Sequence, residues 1–161
     1  MAIHPIVQLG HPALRLPAVL VPPFDRRLWR LLDDMVATMR AAPGVGLAAN
    51  QIARPERVAV IEVDERVYEL IDPRIVRMDG EQTGLEGCLS VSGYYAPITR
   101  ADRVWATARD RHGKKIHVQG TGLLARALQH EVGHLDGSLY LDRLTDLDEL
   151  IDVREDGPEP D

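Results

Sequence analysis

Two histidines four residues apart with a glutamate beside the first, His130-Glu131-Val132-Gly133-His134, are the side chains of this sequence best placed to do chemistry. On a helix, residues i and i+4 share a face, so both imidazoles can reach one divalent ion while Glu131 stands beside it to take and return protons. Two half-exposed histidines around a solvated glutamate would spell the same five letters, and the flanking pattern argues against that reading. Leu124, Leu128 and Leu135 form a core stripe, whereas Leu123 and Ala127 lead along a neighbouring stripe to His130 and His134. The metal face therefore continues into a small apolar wall, as a pocket for an apolar side chain beside a metal requires.

A catalytic tetrahedral site takes three protein ligands and leaves one position open. Three sources compete for the third. In the metzincin pattern Gly137 falls on that pattern's glycine, but the ligand position is Tyr140, which fails as a ligand. Asp142, Asp146, Asp148 and Glu149 are carboxylates close in sequence, although they read more as a solvated helix face. Cys88, in the glycine-flanked segment GLEGCLS, offers a soft thiolate suited to a transition metal. A single cysteine is otherwise a small buried apolar residue.

The elements that must position these groups follow from pattern. Pro5, Pro12, Pro17, Pro22 and Pro23 make the first 23 residues an arm of turns and extended pieces over the surface. Asp25 caps a helix with Leu28, Leu31, Leu32, Met35, Val36 and Met39 on one face, ending near Ala42 before Pro43 and Gly44. The runs VAVIEV and VYELIDPRIV read as a hairpin with Glu65 near its turn, and RVWATAR and KKIHVQ as a second pair around Asp110 to Gly113. A helix opens near Thr121 and runs to about His134. Residues 142 to 161 hold nine acids against Arg143 and Arg154, which predicts a short helix and then a solvated acidic tail over 151–161. Short strands followed by one central helix indicate an α+β domain, here a single unit over residues 1–150.

Composition narrows the function. A net charge of −6 over 161 residues argues against a grip on DNA or RNA, which needs clustered Lys and Arg. No apolar run is long enough to span a membrane, and MAIHPIVQLGHPALRL lacks the regions of a signal peptide, so a cytoplasmic protein is expected. The lone Cys88 forbids an intramolecular disulfide. His4, His11, His112 and His117 have no spacing partner and read as surface or packing residues.

Three segments together resemble the signature motifs of the peptide deformylases, in order and with similar separations: Gly44-Val45-Gly46-Leu47-Ala48-Ala49-Asn50-Gln51, Glu86-Gly87-Cys88-Leu89-Ser90, and Gln129 through Gly137. The likeness runs from HPALRLPA to LYLDRL. It implies antiparallel sheets packed around a central metal-binding helix, and Cys88, His130 and His134 as ligands of one divalent metal per chain. Fe²⁺ is the expected native ion, with Zn²⁺, Ni²⁺ or Co²⁺ as substitutes. By the same resemblance Glu131 is the general acid/base, and the Gln51 side-chain amide and the Leu89 backbone N–H donate to the formyl oxygen. Val45 and Gly46 would lie along the bound peptide, while Leu123 and Ala127, from the helix pattern, would wall the methionine slot.

The implied reaction is hydrolysis of the N-formyl group of formylmethionine at the start of nascent chains, releasing formate. A transient ribosome contact fits such substrates, although the acidic end differs from the basic C-terminal helix of some relatives. Two rivals share parts of the site: a zincin-like endopeptidase, which would not need Cys88, and a non-catalytic peptide binder that keeps the metal as a staple. Two positions depart from the commoner form. Gly133 stands where Asp is frequent, a glycine that actinobacterial members share, at a cost of about 1 kcal/mol to the helix relative to alanine, and Ser92 stands where proline is frequent.

Overall fold

The computed structural model describes residues 1–21 and 23–152. In chain order its main elements are α1 (Arg26–Ala41), β1 (Gly46–Ala48), β2 (Val58–Val63), β3 (Arg66–Asp79), β4 (Gln82–Cys88), β5 (Val91–Arg100), β6 (Arg103–Arg109), β7 (Lys115–Thr121), α2 (Gly122–Leu135) and β8 (Ile151–Asp152). The strands form two antiparallel sheets, β1-β2-β3-β6-β7 and β4-β5-β8. The α+β class stands.

Helix α1 begins where Asp25 accepts from the N–H groups of Arg27 and Leu28 at 3.0 and 3.3 Å, satisfying donors that the first turn leaves unpaired. Its Leu28, Leu31, Leu32, Met35 and Met39 are buried against Leu47, Ile52, Val58, Val60 and Ile71, while Val36 is half-buried at the margin. The β2–β3 hairpin turns at Asp64 and Glu65, with φ of 53° and 64°, the left-handed pair that a tight two-residue turn demands. Between β6 and β7 the Asp110 carboxylate accepts from His112 and Lys114 N–H, fixing the second expected turn. Helix α2 lays Ala125, Ala127 and Leu128 against Ile61, Leu70, Val104, Ala106 and Val118 of the larger sheet.

The arm follows the expected surface course and ties distant parts together. Val7 N–H donates to the Gln51 carbonyl, Leu9 N–H to that of Ser90 and Ala18 N–H to that of Leu135, each at 2.8 Å. Ser92 joins this clasp, because its N–H and hydroxyl both donate to Gln8 Oε1, at 3.3 and 3.0 Å. A proline there would lack the N–H donor.

Two readings need correction, and one strand pair has no counterpart in the sequence pattern. Strands β4 and β5 carry the cysteine motif in a hairpin that the glycine-rich sequence did not announce. Residues 142–149 form no α-helix; they make 3-10 turns at Tyr140–Arg143 and Leu147–Glu149 before β8 pairs with Tyr94 and Tyr95. Short acidic side chains here bond local backbone instead: Asp142 accepts from Leu139 N–H and Asp146 from Asp148 N–H. The tail expected over 151–161 starts as β8, and residues 153–161 lie outside the described residues, as does Pro22 of the arm. Among the described residues no helix is long and apolar enough to cross a membrane.

Candidate metal centre

Cys88 ends β4, and His130 and His134 lie one turn apart on α2, so a strand terminus faces a helix. His134 Nε2 is 3.2 Å from Cys88 Sγ and 3.1 Å from His130 Nε2, and the three donor atoms all lie within 4.8 Å of one another. Tetrahedral bonds of about 2.0 Å to nitrogen and 2.3 Å to sulfur would set ligand atoms roughly 3.3–3.5 Å apart, so these separations suit one small divalent ion. Three lone-pair donors aimed at a common point satisfy one another poorly without a cation, and this donor set fits a transition metal.

The surroundings prepare that point. His130 Nδ1 lies 2.8 Å from Glu86 Oε1, which turns its Nε2 toward Cys88 and His134. Burial alone would raise the Glu86 carboxyl, but the hydrogen bond and charge of His130, with those of Arg100, overcome it and hold the group at about 2. Glu86 is therefore an anion, and the His130 Nδ1 donates to it. Burial depresses His130, yet Glu131, Cys88 and Glu86 outweigh it and raise the imidazole well above its ordinary range, the signature of a place that attracts positive charge. Burial and the neighbouring His130 push His134 down, leaving it a neutral donor of a lone pair. Burial pushes Glu131 up to about 7, with Glu86 adding to the rise and His130 opposing it. Its Oε1 is buried without a hydrogen-bond partner among the described residues. A carboxyl poised near neutrality can both accept and return a proton.

The cluster opens onto a cavity of about 530 Å³. Gln51, Leu89, Val45, Gly46, Leu123 and Ala127 all line it, together with Cys88, His130 and Glu131. Gln51 is buried and held at both ends: its Oε1 accepts from Ala48 N–H at 2.9 Å, and its Nε2 donates to Ser90 Oγ at 3.1 Å and to Cys88 Sγ at 3.6 Å. Leu89 sits in the turn between β4 and β5, where its carbonyl accepts from Gln8 Nε2 at 3.0 Å. Val45 is exposed at the rim, and Gly46 lies so close to Glu131 that a Cβ there would come within 2.5 Å of Oε2. Leu123 is 53% exposed at the mouth whereas Ala127 is 6% exposed.

Other candidates go elsewhere. The one group able to hold a metal among the described residues is Cys88, His130 and His134, so Asp142, Asp146, Asp148 and Glu149 do not contribute. Asp142 instead pairs with Arg15 at 2.6 and 3.1 Å. Tyr140 is buried and stacks on the His130 ring, centroids 6.3 Å apart. His4 bonds Asp34, His11 caps a 3-10 turn and His112 meets Trp29 edge-on. Sequence reasoning missed the work of Glu86, Arg100 and Arg126. The two guanidiniums reach Glu86 at 3.0 and 3.4 Å, contacts between residues far apart in the chain for which no local spacing rule exists.

Comparisons with known proteins point to one family. The family described as Polypeptide deformylase matches residues 3–150. A peptide deformylase of Heliobacterium modesticaldum is 49% identical over 144 residues, covering 89% of this chain and 95% of that protein. Peptide deformylase 1 of Bacillus subtilis is 46% identical over 160 residues, covering 95% and 99%. Among solved structures, a peptide deformylase from Legionella pneumophila superposes with a TM-score of 0.88 at 42% identity, covering 92% of this chain and 89% of that one. The enzyme from Thermus thermophilus gives 0.85 at 41%, covering 88% and 86%.

Proposed function

This chain belongs to the peptide deformylase family, metal-dependent enzymes that remove the N-formyl group from new polypeptides, and from that premise we propose how its own residues divide the work. Cys88, His130 and His134 hold the divalent ion, which when bound supplies Lewis acidity to the formyl carbonyl and to the attacking water. Glu131 removes a proton from that water as it attacks the formyl carbon, then delivers it to the departing amine as formate is released. Gln51 Nε2 and the Leu89 N–H donate to the formyl oxygen while negative charge develops there. Val45 and Gly46 run beside the peptide backbone, and Leu123 and Ala127 wall the slot for the methionine side chain.

The observation that carries this reading is the position of Glu131: buried, raised to about 7, and beside the three-ligand cluster at the end of an open cavity. Residues 1–150 act as one catalytic domain, since all three motifs meet in that cavity. Fe²⁺ is the native ion, with Zn²⁺, Ni²⁺ or Co²⁺ able to replace it, and the thiolate ligand makes the site sensitive to oxidation. The substrates are formylmethionyl nascent chains in the cytoplasm, reached through transient ribosome contact.

Formate release from a formyl-Met-Ala-Ser peptide by anaerobically prepared, Fe²⁺-loaded protein tests the assignment. Release by the parent and its loss in Glu131→Ala, with metal content unchanged, is the expected pair of results. A Glu131→Ala protein that still released formate at the parental rate would remove Glu131 from the mechanism.

A further inference from the structure

Behind α2, on the side away from the substrate cavity, a second cavity of about 650 Å³ opens between the helix, β3, β5 and the 3-10 turn at Tyr140–Arg143. Four arginines line it: Arg57, Arg74, Arg100 and Arg143. Two acids also line it, and both are committed. Asp136 pairs with Arg57 at 2.8 Å, and Asp142 is held by the fork of Arg15. Arg57 also donates from Nε and Nη2 to the Pro73 carbonyl.

The other three cations are under-compensated. Arg100 is 6% exposed and its Nε donates to both oxygens of Glu86, yet its two amino groups donate to no protein group among the described residues. Glu86 is also shared with Arg126 and His130, so one carboxylate answers two guanidiniums and an imidazole. Arg143 gives one bond, to the Thr99 carbonyl, and Arg74 gives none among the described residues. Burial and the charge of Arg100 both depress Arg143, as expected where guanidiniums crowd together. In a chain of net charge −6, this is a local reversal of sign in a concave, partly dry place.

We propose that the cavity behind α2 is an oxyanion site, in which Arg74, Arg100 and Arg143 hold inorganic phosphate or the phosphate group of a small phosphomonoester. Guanidinium forks match the oxygen spacing of tetrahedral oxyanions and give charge-assisted bonds that a lysine could not arrange. His130 also lines this cavity, and Arg100 reaches the same imidazole through Glu86, so the site borders a metal ligand.

Titration of the metal-loaded full chain with inorganic phosphate, followed by calorimetry and by ³¹P line broadening, tests this. Saturable binding is expected, weakened about tenfold or more in the double variant Arg74→Gln/Arg143→Gln, whose exposed positions leave the fold intact by circular dichroism. Cys88→Ser, which removes a metal ligand, should retain the binding. Glycerol 2-phosphate run in parallel separates the sources: binding of both ligands identifies a phosphomonoester site, binding of phosphate alone a free-ion site. No saturable binding, full binding in the double variant, or binding lost with Cys88→Ser and kept without the two arginines would each overturn the proposal.

Discussion

Gly46→Ala is a one-carbon probe of how tightly Glu131 is held. The backbone of Gly46 is ordinary strand, paired with Ile61, so alanine meets no conformational penalty. Its Cβ, however, would lie 2.5 Å from Glu131 Oε2, 2.9 Å from Cδ and 3.0 Å from Cγ, whereas ordinary contact begins at 3.4 Å. The carboxylate must retreat by roughly 0.9 Å into a packed surrounding, with no hydrogen bond to Oε1 among the described residues to fix where it goes. A displacement near 1 Å in a catalytic group costs about 10²-fold in rate, so kcat for formate release should fall by about that factor while KM changes less than about threefold. Overpacking should also lower stability by about 1–3 kcal/mol, read from chemical denaturation of the metal-loaded protein. Glu131→Asp withdraws the carboxylate by one methylene. In that slower background Gly46→Ala should add little, a non-additivity that marks direct contact. An undiminished kcat, or the same loss in both backgrounds, would refute the contact as the cause.

Glu86→Gln keeps the shape of a neighbour to His130 but removes the anion that Arg100, Arg126 and His130 share. Metal affinity should fall about 10–100-fold, measured by competition with a chelator. Ala127→Phe fills the buried side of the substrate cavity and should raise KM for formyl-Met peptides more than it lowers kcat; an unchanged KM would place the methionine slot elsewhere. The hydrogen bond from Arg15 holds the Asp142 carboxyl below its ordinary range against the opposing effect of burial. Its folded pKa lies below the unfolded value of about 3.9, so the pair stabilises above that pH and the gain is lost as pH falls through the folded value. With side chains 49% and 41% exposed, Arg15→Ala should cost about 0.5 kcal/mol near pH 7 and progressively less in acid, seen in urea melts across pH.

The parts of the fold written in local chemistry were readable. Asp25 before a run of leucines at helical spacing, the Asp64-Glu65 turn between β-branched runs, and His130 to His134 at helix spacing each depend on neighbours within a few residues. The β4–β5 hairpin was not readable, because its residues answer to contacts across the chain. Gly87 has no side chain since the Tyr95 ring lies where its Cβ would be, and Gly84 stands against the Arg126 guanidinium. Strand β4, with Gly84 and Gly87 among its seven residues, has Thr83 as its one β-branched side chain and so carries little strand signature. Cys88 could be named as a ligand only through its resemblance to a family motif, and Glu86, although it stands in that same motif, had no spacing signal for its role of orienting His130 from forty-four positions away. The acids at 142–149 misled for the opposite reason: their charge pattern suits a solvated helix, but short carboxylates near turn backbone prefer to bond it.

The clasp made by the arm sets a timetable for the newborn enzyme. Val7, Leu9 and Ala18 leave the ribosome first, yet the carbonyls they bind belong to Gln51, Ser90 and Leu135. Synthesis proceeds at about 5–20 residues per second, so Ala18 waits roughly 6–23 s for Leu135, and the Cys88 thiol waits roughly 2–9 s for His134. During that interval the thiol has neither histidine to share an ion with. Metal capture and the last bond of the clasp, Ala18 to Leu135, are therefore nearly simultaneous, late events of biogenesis, and an oxidant present during translation would meet the ligand before the ion does.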